Sequence, residues 1–448
     1  MVDQGEARVA GTAALPRGRS REQVRSMLEA RRRDDADWRS GRTFSLVYHA
    51  GDEVVSVLRD ALSLFVMENG LSPLAFPSLR AFENDVIAIA LGLLHGPEGS
   101  VGSMTTGGTE SILMAVRTAR EWGRSVLGIA RPKILVPVTA HPAFHKAAHY
   151  LDVEVVPVPV GPDFRGDVEA ARSLADERTV LVVASAPSYP QGVLDPIAEL
   201  AALARERRIL CHVDACLGGF LLPFVERLGR PLPPFDFRVE GVTSISADLH
   251  KYGYAAKGAS VVLYRDADLR KHQFFTHTEW PGGLYVSPTM TGTRSGAAIA
   301  AAWAVLHYLG EEGYLDLARR VLATTDRLRA GIEAIPGLHV LGEPAMSVLS
   351  FVSDRHDVYA LGQALERRGW RLDLNQRPAS LHLMVTPAHE AHADAFLADL
   401  RAAAAEPLSP AAGNAAVYGM LAAVEDRVQV GDFLKGLLDG IYTPGAAP

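Results

Sequence analysis

The sequence predicts an α/β protein in which a seven-stranded, mostly parallel sheet is sandwiched by helices and followed by a smaller α+β unit at the C-terminus. Three observations carry that reading. Between Val101 and Tyr264, seven short β-rich runs alternate with helical patterns. Several of these runs are apolar along nearly their whole length, which suits strands covered on both faces. After a long helical stretch from Ala297 to about Ile335, only two further strand-like segments, "SVLSFVS" and "LHLMVTP", alternate with helices to the end.

Residues 1 to about 20 are rich in Gly, Ala and Arg, which predicts a mobile start. Two amphipathic helices are expected next, Arg21 to Trp38 and Asp52 to Asn69. In the second, Val54, Val55, Leu58, Leu62, Phe65 and Val66 fall on one face at helical spacing. The strand runs are "VGSMT", "KILVPV", "VEVVPV", "VLVVA", "ILCHVD", "TSIS" and "SVVLY", with "PIAELAALARER" among the covering helices. The apolar "GAAIAAAWAVLHYLG" is shorter than the ~20 residues of a membrane span and reads as a buried helix. "PAHEAHAD" reads as a solvated helix start. The expected division is an N-terminal segment over 1–60, a large α/β domain over 61–310 and a small α+β domain over 311–448.

The net charge of −7 argues against a basic nucleic-acid-binding face. Two cysteines, Cys211 and Cys216, with neither zinc nor redox spacing, fit a reduced, cytoplasmic protein. No secretory signal opens the chain.

In an open α/β sheet, ligands bind beyond the carboxyl ends of the strands. After "VGSMT" comes "TGGTES", where Gly107 and Gly108 feed a helix start whose free N–H groups suit a phosphate or serve as a plain cap. "ILCHVD" ends on Asp214, which could be a catalytic acid, a metal ligand, a partner for a protonated ring nitrogen or a helix cap. After "TSIS" come Asp248, His250 and Lys251. A partly desolvated lysine beside other cations is a nucleophile toward carbonyls. There are only six lysines in the chain, and Lys251 and Lys257 lie six residues apart. A phosphate cradle, an aspartate for a pyridinium nitrogen and a Schiff-base lysine are together what pyridoxal 5'-phosphate requires. His141, His145 and His149, spaced as if on one helix face, admit a metal reading, but no matching carboxylate accompanies them.

These residues sit in motifs that resemble, closely, the sphingosine-1-phosphate lyases of the group II pyridoxal-phosphate-dependent decarboxylase superfamily. The motifs are "FPSLRAFEND", "TTGGTESILMA", "HPAFHKAAHY", "HVDACLGGF", "FDFRVEGVTSISADLHKYGYAAKGAS", "GGLYVSPTMTGTRSG" and "AAVYGMLAAVEDR". The resemblance runs from about Tyr48 to the C-terminus. It implies the fold type I of pyridoxal-phosphate-dependent transferases, with the cofactor in the large domain.

It also implies roles. Lys251 is similar to the cofactor-carrying lysine, Asp214 to the pyridinium partner and His141 to the histidine stacked on the ring. Gly108, Thr109 and His250 match the phosphate cradle. Thr293 matches a small hydroxyl residue that reaches the phosphate from a neighbouring subunit, which implies a homodimer with active sites at the interface. Tyr48, Tyr189 and Lys257 correspond to residues around the substrate, Lys257 being suited to an anionic head group. Lys251, Lys257 and Tyr189 are the candidates for proton transfer.

The implied reaction is retro-aldol cleavage of a phosphorylated long-chain β-hydroxy amine to a fatty aldehyde and phosphoethanolamine. The rivals are a decarboxylase or aldolase acting on another amine or amino acid, and a non-catalytic cofactor-binding protein. One departure bears on the substrate. Where the family has "NPLHPDIFP", this chain reads "NGLSPLAFP". Asn69 is kept, but Ser72 replaces a histidine associated with the substrate phosphate and Leu74 an aspartate, a loss of ~1 to 3 kcal/mol if uncompensated. The membrane anchor of eukaryotic members is also not expected here.

Overall fold

The computed structural model describes residues 15–72 and 74–443, so most of the predicted mobile start lies outside the described residues. All seven predicted strands form: β1 (Val101–Thr105), β2 (Lys133–Pro137), β3 (Glu154–Val158), β4 (Thr179–Ser185), β5 (Leu210–Asp214), β6 (Ser244–Ala247) and β7 (Ser260–Tyr264). They make one sheet in the order β1-β7-β6-β5-β4-β2-β3, in which β7 alone runs antiparallel to its neighbours. Along β4, Val182 and Ala184 join one apolar cluster while Leu181 and Val183 join the cluster on the opposite face. That two-sided burial is why the strands read as continuous apolar runs. Register places Ser185 beside Asp214 and Asp214 beside Ser246, so a row of polar side chains lines the carboxyl edge.

A hairpin, β8 (Phe275–His277) with β9 (Tyr285–Ser287), precedes the long helix Gly296–Glu333. That helix breaks at Gly310, whose φ of 56° and ψ of −171° are not helical. The C-terminal sheet is antiparallel, in the order β10-β11-β13-β12, from β10 (Leu338–Val340), β11 (Val348–Ser353), β12 (Asp373–Gln376) and β13 (Ala379–Met384). It has its own apolar cluster, which takes Leu328 and Ile332 from the end of the long helix and Phe44 from the N-terminal segment. Among the described residues, no helix is long and apolar enough to cross a membrane.

Several expectations need correction. The first helix is Arg21–Arg31 and stops well short of Trp38; it has no buried residue, so little beyond its Ser20 capping box supports it. The second is Asp52–Leu64, because the chain leaves helical geometry at Phe65 and turns so that Asn69 bridges to Ser295. Helix Pro77–Leu93 was not anticipated in "FPSLRAFEND", although Pro77 opens it at a favourable position. "PAHEAHAD" is not a solvated start: His389 is buried, its ring stacked 4.2 Å from Phe44 and its Nε2 bonded to the Thr43 carbonyl. Nor do three histidines share a helix face, since helix Ala143–Leu151 begins after His141. Among the described residues, no group of three metal-ligating side chains forms.

Phe44 is fully buried against His389, Trp370 and Phe396. Phe44→Ala is expected to cost ~3 to 5 kcal/mol through the cavity it leaves. Denaturant unfolding followed by far-UV circular dichroism reads this loss, and an unchanged midpoint would show that Phe44 does not anchor the C-terminal core.

Candidate active site

A cavity of about 510 Å³ opens at the carboxyl edge of the large sheet. The loop after β1 brings Gly108 and Thr109 to it, the loop after β2 brings His141, and the loop after β4 brings Tyr189. Asp214 enters from the end of β5, and His250, Lys251 and Lys257 enter from the loop after β6. Tyr48 closes one side from the N-terminal segment. Nine predicted residues scattered over 210 positions of sequence therefore share one cavity. Asn69, Ser72 and Thr293 do not line it; Ser72 and Thr293 are exposed, and Asn69 is half-buried with its Oδ1 accepting the Leu71 N–H.

Lys251 Nζ lies 3.0 Å from Asp248 Oδ2, and His250 Nε2 lies 3.6 Å from the same oxygen. Burial works against both charges of the lysine–aspartate pair, but their mutual attraction prevails. It holds the Lys251 ammonium above its ordinary value and the Asp248 carboxyl well below its own. Lys257 goes the other way: burial, followed by the Lys251 charge, lowers it. Lys257 Nζ sits 5.2 Å over the Tyr48 ring and donates to the His250 carbonyl at 3.4 Å. The two lysines thus differ in kind, one tightly paired and one free to meet an anion from outside.

Asp214 accepts the Cys216 N–H at 3.0 Å and the Ser246 hydroxyl at 3.2 Å, both on Oδ1. Behind it lies His212, fully buried, with Nε2 3.1 Å from Ser246 Oγ and Nδ1 2.9 Å from Ser244 Oγ. Burial lowers His212 to about 4, so its ring is neutral. Ser246 spends its only O–H on Asp214, so it must receive the Nε2–H of His212, whose Nδ1 then takes the Ser244 hydroxyl. His141 is lowered by burial and is also neutral near pH 7; its Nδ1 accepts the Ala143 N–H at 3.1 Å.

Helix Gly108–Val126 carries no side-chain cap at its N-terminus, so its first N–H groups and positive dipole end are presented to the cavity. A Cβ at Gly108 would fall 2.7 Å from Asp248 Oδ2 and 2.8 Å from Cys216 Sγ, so only glycine fits there. Glu110, buried, accepts the N–H groups of Thr106, Met290 and Thr291, tying the cradle to the loop that leads to Thr293.

Asp248, Glu110 and Asp373 were not singled out as site residues from sequence. Asp248 carried a signal, three residues before Lys251 in a turn, and Glu110 another, inside "TGGTES". Asp373 carried none: it reaches the cavity from β12, 122 residues after Lys251 in the chain.

The donor set fits pyridoxal phosphate. An uncapped helix end with a glycine cradle suits its phosphate, a doubly bonded carboxylate its ring nitrogen, a neutral imidazole its ring face, and a lysine its aldehyde. Fold and site together define a pyridoxal-phosphate-dependent enzyme of the decarboxylase-like α/β class. The pyridoxal-dependent decarboxylase conserved domain matches residues 36–353. Sphingosine-1-phosphate lyase of Arabidopsis thaliana is 43% identical over 94% of this chain and 79% of its own length. Sphingosine-1-phosphate lyase 1 of Rattus norvegicus is 41% identical over 91% of this chain and 73% of its own. The structure of the Burkholderia pseudomallei sphingosine-1-phosphate lyase superposes with a TM-score of 0.88 at 39% identity, covering 96% of this chain and 97% of that one. The glutamate decarboxylase of Lactobacillus brevis, with a TM-score of 0.76 at 20% identity over 89% of this chain and 95% of that one, shares the fold. This chain belongs to the sphingosine-1-phosphate lyase family, and it is a pyridoxal-phosphate-dependent aldehyde-lyase.

The Asp248–Lys251 pair stabilises the fold at neutral pH; its contribution fades in acid as Asp248 takes a proton and in alkali as Lys251 loses one. Asp248→Asn removes the attraction and leaves the burial, so the Lys251 ammonium should lose its proton at lower pH. In cofactor-free protein, acylation of Lys251 mapped by peptide mass against pH should begin at lower pH than in the wild type. An identical profile would show that the pair does not control the lysine.

Proposed function

We propose that this enzyme cleaves a phosphorylated long-chain β-hydroxy amine of the sphingosine 1-phosphate type to a fatty aldehyde and phosphoethanolamine. The observation that carries the reading is the facing of Lys251, Asp214, His141 and the Gly108 helix end across one cavity, with the unpaired Lys257 at its side. The names of the relatives point the same way.

When bound, pyridoxal phosphate supplies an electron sink for the bond that breaks at the amine-bearing carbon. Lys251 would hold the cofactor through its aldehyde, and Asp214 would keep its ring nitrogen protonated. His141, neutral, would lie against its ring. Gly108, Thr109 and His250 would hold its phosphate. Lys257 meets the anionic head group, which restores the charge that burial and Lys251 disfavour. Tyr48 and Tyr189 flank the substrate. No observation favours α-decarboxylation: among the described residues lining the cavity there is no arginine to hold an α-carboxylate.

We read the enzyme as a cytoplasmic homodimer with its division into large and small domains near residue 310, where the long helix breaks. Asn69, Ser72 and Thr293 lie outside this chain's own cavity but near exposed apolar side chains at Leu64, Val66, Met67 and Leu71. A second copy covering that patch buries it and brings these residues to the neighbouring site. Ser72 still offers a hydroxyl there, while Leu74 brings no charge, so Lys257 carries more of the head-group recognition.

Incubation with sphingosine 1-phosphate, with fatty aldehyde assayed directly, is expected to give aldehyde; none from phosphorylated or unphosphorylated sphingoid base would overturn the reading. Borohydride reduction should bleach the visible absorbance and fix the cofactor on Lys251, whereas label on Lys257 alone would refute the assignment. Mixing inactive Lys251→Ala with a separately inactive Thr293 variant should restore about a quarter of wild-type activity, on the random pairing of subunits that closed twofold symmetry allows. Failure to restore any would mean that each chain completes its own site.

A further inference from the structure

The proposed cleavage needs a base for the substrate hydroxyl, and three residues compete for it from sequence: Lys251, Lys257 and Tyr189. The structure alters that contest. Tyr189 O–H donates to Asp373 Oδ2 at 2.8 Å, and both side chains line the catalytic cavity. Burial, then the Asp373 charge, pushes the Tyr189 phenol far up, so it does not act as a free phenolate. Lys251 is committed to Asp248 and to the cofactor. Lys257 lies on the Tyr48 side, where it is placed for an anion.

Asp373 is held firmly for a residue of a separate sheet. Its cross-strand partner on β13 is His382, whose ring stacks 4.2 Å from Tyr189 and whose Nε2 bonds to the Tyr189 carbonyl at 2.8 Å. Next but one along β12, Asn375 donates to the Pro190 carbonyl at 3.0 Å. Burial holds His382 neutral, lowered to about 4, so it does not neutralise the neighbouring carboxylate. Tyr189 and Asp373 are thus clamped together by backbone contacts on both sides.

We propose that Asp373 is the proton acceptor for carbon–carbon cleavage, acting through Tyr189; this rests on the lyase reading above. The substrate hydroxyl donates to Tyr189 Oη as Tyr189 passes its own proton to Asp373. The hydroxyl oxygen becomes the aldehyde carbonyl, the carbon–carbon bond breaks, and its electron pair remains on the amine-bearing carbon. That carbon then takes up the proton that Asp373 received, returned through Tyr189. One proton leaves oxygen and one is added to carbon, so no oxidant or reductant is needed and the pair ends each turnover as it began.

The test compares Asp373→Asn, Asp373→Glu and Tyr189→Phe with the wild-type holoenzyme. Asparagine keeps an oxygen to accept the Tyr189 hydrogen bond, so a merely structural role predicts near-normal activity. The relay predicts a fall in kcat of about 10²-fold or more in Asp373→Asn and in Tyr189→Phe. KM and the substrate-induced change in cofactor absorbance should stay within about threefold, and Asp373→Glu should recover part of kcat. Retained cofactor absorbance shows that each variant is folded. Wild-type-like kcat in Asp373→Asn would overturn the relay, with aldehyde production by the wild type still standing. Absence of aldehyde from the wild type would instead remove the lyase reading and the relay with it.

Discussion

Five parallel strands and β1 all point their carboxyl ends the same way, and the site exists because of that constraint. Register sets Ser185, Asp214 and Ser246 side by side at the end of β4, β5 and β6. A slip of one residue in β5 would turn Asp214 and His212 together to the opposite face, away from Ser244 and Ser246. The apolar residues on both faces oppose such a slip, since it would bring His212 or Asp214 into the apolar cluster that Cys211 and Val213 fill. Packing of the strands thereby fixes the position of the Asp214 carboxylate.

The second constraint is charge. Asp248 is almost fully buried, and an unpaired carboxylate there would cost several kcal/mol. Lys251 offsets that cost, which keeps the amine within 3.0 Å of a known point beside the cradle. The carboxylate also explains why position 108 must be glycine, because any larger residue would meet Asp248 first. Among the described residues, Lys257 has no comparable partner, since its contacts are a carbonyl and an aromatic face. Two lysines six residues apart in one short loop thus meet different electrostatic surroundings through the positions of their neighbours.

Much of this was legible in the sequence because it is local. Several strands announced themselves by apolar runs, and Gly108, Asp214 and Lys251 stood out at or just after the ends of β1, β5 and β6, so these candidates could be found without knowing the strand order, while His141 entered through the motif resemblance. What was hidden depends on contacts between distant segments. His389 looked solvated because nothing in "PAHEAHAD" reveals that Phe44, 345 positions earlier, will stack on it. The stop at Arg31 was invisible because the pattern of the following residues still permits a helix. Asp373 gave no signal because its meaning lies wholly in the approach of β12 to Tyr189.

That approach makes the cavity a joint between two cores. Tyr252, from the cofactor loop, donates to the Val385 carbonyl at 2.9 Å, and Asn375 and His382 bond to the backbone of the Tyr189 loop. Tyr48 leans on Tyr252 and points its hydroxyl at Met384. These contacts fasten the C-terminal sheet to the cavity wall. A carboxylate carried on such a wall stays at a fixed place relative to Lys251, although the two residues belong to different sheets. For a reaction that breaks a bond at one carbon while a proton leaves an oxygen on the next, that fixed separation has more value than mobility, because both events must meet the same bound substrate.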